Sequence, residues 1–490
     1  MKLESLLKDV AATHVDGPLD REITAIAYDS RRVKPGSLFV AMKGEKVDGG
    51  IFIDNAIAAG AEAIVCESGQ AKGRATVIVV PNAREALAEI AANFYQHPAK
   101  HLKVAGVTGT NGKTTTAFLL KHVCEAVLLR CGLLGTVRYE VGERILPASR
   151  TTPESLDVQD LLWQMRSAGC KAVAMEVSSH ALVQARVRGI EFDAAIFTNL
   201  TQDHLDFHQT MEAYFEAKSR LFSGLAAQKK KGRAVINLDD RFGAQLVNRY
   251  KRDFSITTYG LGANADFRAS NMRIDFNGTS YQLDALGRSF LVRLPLIGQF
   301  NVYNSLAAIA GASALGIEVR NAVLSLANAT SVPGRLEAVP AQRQFRVFVD
   351  YAHTDDALLN VIRTCRELNP ARLIVVFGCG GNRDKTKRPR MGAVVDQHAD
   401  YAIVTSDNPR KEDPLAIIED IKPGMKRGRY EAIVDRREAI FKAVAMAQAR
   451  DIVLIAGKGH ENYQEFADHT SPFDDVAVAR EALEGRRIDS

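Results

Sequence analysis

The stretch Gly109-Thr110-Asn111-Gly112-Lys113-Thr114-Thr115 combines residue types that bind phosphate. Backbone N–H groups of a Gly-rich turn and the start of a helix face an anion. A lysine there meets the outer phosphates, and the next threonine hydroxyl can hold Mg²⁺. All seven residues are candidate nucleotide contacts, with Lys113 as the catalytic cation. The standard loop has a glycine where this chain has Val107. Here the glycines stand at 106, 109 and 112, so the turn is a variant. Glu176 ends the apolar run Ala172-Val173-Ala174-Met175 and could ligate Mg²⁺ beside Thr114, or it could be a solvated strand-end acid. Asp203, His204, Asp206 and His208 crowd one turn and suit metal or substrate duty, but residue type does not choose among them. Lys218, taken alone, is a solvated helix lysine.

A second constellation lies toward the C-terminus. Asp350-Tyr351-Ala352-His353, Gly378 to Lys385, Asp407-Asn408-Pro409-Arg410 and Gly457-Lys458-Gly459-His460-Glu461 each follow a strand-like run. Arg410 can grip a carboxylate in bidentate fashion, and Glu461 can receive an ammonium group. Together they suit a zwitterionic, amino-acid-like ligand in one shared cleft.

Strands are expected at 102–107, 171–177, 194–199 and 233–237, with helices at 155–168 and 211–226 between them. Such alternation implies a mostly parallel sheet covered by helices. A more antiparallel insertion is expected over 254–294. His97-Pro98 and Val332-Pro333-Gly334 mark boundaries. The expected fold is α/β in three domains. A small N-terminal α/β domain (1–98) and a C-terminal Rossmann-like domain (334–490) flank a central ATPase domain of the phosphate-loop type (99–333). The length of 490 residues accommodates this. The first ten residues read as an amphipathic helix rather than a signal peptide.

The net charge of +5, from 63 basic and 58 acidic residues without a basic block, argues against nucleic acid as a partner. No apolar run reaches the roughly 20 residues of a membrane span. The 6 cysteines are scattered without a CxxC pair and read as reduced core residues of a cytoplasmic protein.

These motifs, in this order and over essentially the whole chain, resemble the ATP-dependent Mur ligases of peptidoglycan synthesis. The likeness rests on the phosphate loop, Glu176-Val177-Ser178-Ser179-His180, Asn301 with Asn304, Gly334-Arg335 and Asp350-Tyr351-Ala352-His353. Asp29 to Gly36, with Ser30, resembles the family's uridine-binding segment. Asp407-Asn408-Pro409-Arg410 resembles the signature of the branch that adds meso-2,6-diaminopimelate. Arg410 would meet the distal carboxylate that lysine lacks; facing lysine it would be a buried charge without a partner.

The resemblance further implies ATP, two Mg²⁺ ions and a CO₂-derived carbamate on Lys218 (N6-carboxylysine) that binds the second Mg²⁺ with His204 nearby. Thr151, Thr152, Ser178, Gln184 and Arg186 would contact the UDP-muramoyl-dipeptide. Asn301 would meet adenine, and Arg335 and Asp350 the rest of ATP. Arg383, Asp407, Asn408, Pro409, Arg410, Gly457 and Glu461 would hold the amino acid. A monomer acting on small molecules is expected. Asp355 departs from the family's usual proline, and Lys46-Val47-Asp48-Gly49 from a His-containing form. A lysine-adding ligase, a folylpolyglutamate-type ligase and a nucleotide-dependent switch are the competing readings; Arg410, the N-terminal domain and the C-terminal cleft respectively argue against them.

Overall fold

A computed structural model describes every residue except 45–46, 69–73, 204, 341–342 and 486–490. The chain forms two compact units. One comprises Met1–Ser270, Leu283–Phe290 and Tyr303–Ser325; the other comprises Asn271–Gln282, Leu291–Val302 and Leu326–Ser490.

The first unit contains two sheets. Strands β1 (His14–Asp16), β2 (Ala25–Ala27), β3 (Ser37–Val40), β4 (Ala61–Cys66) and β5 (Thr76–Val79) form the N-terminal sheet in the order β1-β5-β4-β3-β2. All are parallel except β1. The helix Ala83–Phe94 buries its Ala/Leu/Ile face here, and Asn82 caps it by accepting from Arg84 and Glu85 N–H. The expected N-terminal helix is one turn, Leu3–Leu6. Leu3 and Leu6 pack into the core, but Lys8 and Asp9 lie past the turn and Asp9 takes a positive φ of 63°. That backbone conformation ends a right-handed helix.

The larger sheet is built on β6 (Lys103–Thr108), β7 (Cys131–Leu134), β8 (Arg138–Val141), β9 (Arg144–Pro147), β10 (Ala172–Glu176), β11 (Ala194–Phe197), β12 (Arg233–Asn237) and β13 (Ser255–Gly260). Its order β13-β12-β11-β6-β10-β7 is parallel throughout, and β8 and β9 continue it antiparallel. The near-continuous apolar runs of β6, β10 and β11 are those of strands covered on both faces. The antiparallel insertion was expected to begin at 254, yet β13 pairs parallel with β12 from Ser255 to Tyr259. The β-branched residues Ile256, Thr257 and Thr258 suit either pairing; alignment with β12 decides it. Three further strands follow: β14 (Phe267–Asp275), β15 (Gly278–Ala285) and β16 (Arg288–Leu294).

The second unit carries β17 (Glu337–Val339), β18 (Arg346–Asp350), β19 (Leu373–Phe377), β20 (Tyr401–Val404), β21 (Tyr430–Ala432) and β22 (Ile452–Ala456). The order is β17-β18-β22-β19-β20-β21, parallel except for β17. A short hairpin, β23 (Tyr463–Glu465) and β24 (Thr470–Pro472), stands apart from that sheet. All six cysteines are free and buried, as expected. Among the described residues no helix is long and apolar enough to cross a membrane.

Candidate active site

In the first unit the register sets Glu176 beside Val107 and Phe197 beside Thr108, so three carboxyl strand ends share one edge. Open α/β sheets bind ligands at that edge, where strand order reverses around the first strand. The turn after β6 leads into the helix Lys113–Ala126. Gly109 (φ 151°) passes so close to Thr198 that a Cβ would collide with its Oγ1; at Gly112 (φ 85°) a Cβ would strike Asn304 Oδ1. The unusual glycine spacing is therefore fitted to the loop after β11 and to the helix bearing Asn304.

That loop also clamps the turn. Asn111 N–H donates to Asn199 Oδ1 at 2.9 Å, and Thr198 Oγ1 donates to Asn111 O at 2.6 Å. Lys113 Nζ folds back on its own turn, at 2.9 Å from Gly109 O and 2.8 Å from Thr110 O. Thr115 is buried in the first turn of the helix.

Thr114 and Glu176 are brought together. Thr114 Oγ1 donates to Glu176 Oε2 at 3.0 Å, and Thr136 N–H donates to Oε1 at 2.8 Å. Both side chains are buried, so Glu176 is not a solvated strand-end acid. These are the hard oxygens Mg²⁺ prefers. Among the described residues no cluster of three His, Cys, Asp or Glu could hold a metal by itself. His204 lies outside the described residues. His208 is buried, stacks on Tyr214 with ring centroids 4.8 Å apart and meets Ser179 Oγ at 2.8 Å.

Lys218 overturns its solvated reading. It is 1% exposed, its Nζ donates to Gly109 O at 2.8 Å, and it lies 4.5 Å from the Tyr214 ring centroid. Burial, then repulsion from Lys113, holds its amine well below the usual lysine range, against the attraction of Asp203.

The residues expected at the dipeptide substrate fall into two kinds. Thr151 is half-buried with Oγ1 3.0 Å from Thr136 Oγ1, and Ser178 caps the helix Ser179–Val183 by accepting from Ala181 N–H. Thr152 is 1% exposed and is occupied internally: it donates to Glu176 O at 2.8 Å and accepts from Ser178 N–H at 3.1 Å. Arg186 bonds Thr152 O, Gln184 Oε1 and Glu154 at 2.9, 2.5 and 2.9 Å. Ser30 opens a short 3₁₀ turn capped by Asp29. In the stretch that departs from the His-containing form, Lys46 lies outside the described residues, while Asp48 caps the following 3₁₀ turn.

In the second unit Asp350 ends β18; its carboxylate accepts from Leu336 and Ala352 N–H at 2.6 and 2.8 Å. Burial raises its pKa, against the pull of Arg335. Arg335 lies over the Tyr351 ring at 5.0 Å. Asn301 is buried and donates to Ile297 O at 2.9 Å. Asp355 stands in the first turn of the helix Asp355–Glu367 and pairs with Arg390 at 3.3 Å.

The loops after β19, β20 and β22 meet. Asn408 is 2% exposed; its Nδ2 donates to Glu461 Oε2 at 2.8 Å and its Oδ1 accepts from Lys458 Nζ at 2.9 Å. Lys458 is wholly buried and also reaches Glu461 Oε2 at 3.3 Å. Asp407 accepts from Asn408 N–H, and Gly457 passes so close to the Asp407 carboxylate that no Cβ fits. Pro409 is buried, Arg383 is exposed, and Arg410 takes a left-handed φ of 52°. Beneath the loops, Arg436 and Asp475 form a fully buried pair. Lys458, Arg436, Asp475 and the hairpin residue Glu465 were not singled out from sequence. A lysine between two glycines at a strand end was the one available signal.

One sheet edge suited to phosphates and another suited to an amino acid divide the labour as an ATP-dependent C–N ligase requires, and the chain belongs to the Mur ligase family. Residues 22–95 match the Mur ligase family catalytic domain, 107–312 the Mur ligase middle domain and 334–459 the Mur ligase glutamate ligase domain. The UDP-N-acetylmuramoyl-L-alanyl-D-glutamate--2,6-diaminopimelate ligase of Syntrophomonas wolfei is 46% identical over 490 residues, covering 99% of this chain and 100% of that one. A solved structure bearing the same enzyme name is 34% identical, with TM-score 0.73 and 99% of both chains covered. The MurF ligase of Thermotoga maritima, solved in complex with ADP, shares the fold at 20% identity, with TM-score 0.64 over 95% of this chain and 99% of its own.

Proposed function

We infer that the chain joins meso-2,6-diaminopimelate to UDP-N-acetylmuramoyl-L-alanyl-D-glutamate at the expense of ATP, with ADP and phosphate as co-products. Segments 1–98, 99–333 and 334–490 serve the UDP substrate, ATP and the amino acid respectively. The γ-phosphoryl group passes to the D-glutamate side-chain carboxylate, breaking the bond to the ADP oxygen and making an acyl phosphate. The neutral amine of diaminopimelate then attacks the acyl carbon, loses a proton and expels phosphate.

Carboxylate and triphosphate repel, so cationic groups must stabilise the charge on the transferring phosphoryl. Lys113, at the mouth of the turn, is the protein's own cation for this task. Thr114 and Glu176 would hold one Mg²⁺ and a carbamate on Lys218 another; bound there, the ions would offset that same charge. The buried, depressed amine of Lys218 supports the carbamate, because only a neutral amine adds CO₂ and the adduct loses one proton. The carbamate converts a buried cation into an oxygen ligand suited to a hard metal.

The observation that carries the amino-acid assignment is the loop after β20, where Arg410 stands beside the Asn408–Glu461 pair. A guanidinium and a carboxylate on adjoining loops match the carboxylate and ammonium of one amino-acid centre. The test is release of phosphate from ATP by the purified chain. It should require the UDP-muramoyl-dipeptide and diaminopimelate together. Release with the dipeptide and lysine but not with diaminopimelate would reject the assignment.

A further inference from the structure

The hairpin that begins at Tyr463 is stitched along the loop after β20. Arg410 N–H donates to Glu465 O at 2.9 Å, and Glu465 N–H donates to Asn408 Oδ1 at 3.0 Å. Gln464 Nε2 donates to Asp407 O at 2.7 Å. Three loop residues, Asp407, Asn408 and Arg410, are thus held by two successive hairpin residues. The arrangement fixes the left-handed backbone of Arg410, which a non-glycine residue seldom adopts unless neighbours impose it.

The side chains add a second level. Glu465 Oε2 accepts from Arg410 Nε at 2.8 Å, and Arg410 NH1 donates to Gly381 O at 2.9 Å. The same NH1 lies against Gly380, where an added Cβ would stand 3.0 Å from it. The Nε edge is therefore engaged by Glu465, and the plane is set by two glycines. We propose that Glu465 is a positioning residue that orients Arg410, so that the end of the guanidinium remote from Nε meets the distal carboxylate of the amino-acid substrate. This rests on the assignment of Arg410 to that carboxylate.

The physical reason is preorganisation. A free arginine side chain samples many rotamers, and a planar fork gains most when its orientation is set before the ligand arrives. Glu465 is the natural partner because its backbone is already fixed to the same loop. The opposite sign is also physically available. An acid 2.8 Å from Arg410 Nε could compete with the substrate's carboxylate, and its removal would then tighten binding. The two roles predict opposite changes in KM.

Glu465 is 42% exposed and Arg410 21%, so truncating Glu465 leaves no buried charge and does not endanger folding. The experiment measures kcat and KM for meso-diaminopimelate and for ATP in the unaltered chain, Glu465→Ala and Glu465→Gln. Glu465→Ala should raise KM for diaminopimelate by about tenfold, the scale of one charge-assisted hydrogen bond, with kcat and KM for ATP little changed. Glu465→Gln keeps the acceptor for Arg410 Nε and should recover most of that loss. A lower or unaltered KM in Glu465→Ala overturns the proposal. So does a Glu465→Gln variant as impaired as Glu465→Ala, which would mean that the charge acts directly on the ligand. If the unaltered chain shows no turnover with diaminopimelate, the functional assignment fails and this inference with it.

Discussion

Asp475→Ala perturbs the second unit at the point from which its ligand loops hang. Arg436 and Asp475 are both 0% exposed, joined by two bonds of 2.8 and 2.7 Å. Arg436 also donates to Ala456 O, the last residue of β22, at 3.0 Å and to Ser406 O, just past β20, at 3.4 Å. Burial works against the Arg436 charge, and the Asp475 carboxylate more than restores it. Removing the carboxylate strands a guanidinium that cannot deprotonate, at a cost of about 3–5 kcal/mol. At about 2–4 °C per kcal/mol for a unit of this size, the melting temperature should fall by roughly 6–20 °C. Replacing both partners by apolar groups, Arg436→Met with Asp475→Leu, removes the buried charge altogether and should recover most of the loss. Urea denaturation of the unaltered chain, Arg436→Met, Asp475→Leu and the double, read by circular dichroism, closes the cycle, with Asp475→Ala measured beside it. A loss below about 1 kcal/mol in Asp475→Ala, or a double no more stable than the weaker single, would refute the account of this pair.

Lys218→Met replaces a buried amine by an apolar chain of similar length. It should leave melting unchanged or slightly higher while turnover falls by about a hundredfold or more, given the loss of a metal ligand; near-normal turnover would reject the role given to Lys218. His460 is drawn down to about 4 by burial, with Arg335 and His353 adding to the effect. Between its ordinary 6.5 and about 4 the unfolded chain holds a proton the folded chain lacks, so stability falls as pH drops through that window. The loss is at most about 3 kcal/mol. His460→Gln should therefore lose less melting temperature than the unaltered chain between about pH 7.5 and 4.5, and an equal loss would contradict the shift.

The parallel sheets were legible because their strands are buried apolar runs separated by amphipathic helices, a local pattern. The phosphate turn was legible for the same reason: Gly112, Lys113 and Thr114 stand next to one another in the chain. Lys218 was not. Its helix is polar at Glu216 and Arg220, and nothing local says that the face with Tyr214 and Lys218 turns toward Gly109, 109 residues away. The Thr152 hydroxyl is satisfied by Glu176 O and Ser178 N–H, a pairing that only the sheet creates. Glu465 and Asp475 act across 55 and 39 residues on Arg410 and Arg436, and neither carries a motif. The N-terminal helix stops after one turn, which its sequence does not reveal because Leu3 and Leu6 have helical spacing whether or not the helix continues.

Selection of diaminopimelate by Arg410 and its loop predicts a difference in kcat/KM between meso-diaminopimelate and L-lysine, measured side by side with the same UDP-muramoyl-dipeptide and ATP. A site built around a carboxylate rejects an analogue that lacks it, so diaminopimelate should be favoured by at least about a hundredfold. Arg410→Ala should collapse that ratio while leaving KM for ATP nearly unchanged. Equal use of the two amino acids, or a preference for lysine, by the unaltered chain would contradict the account.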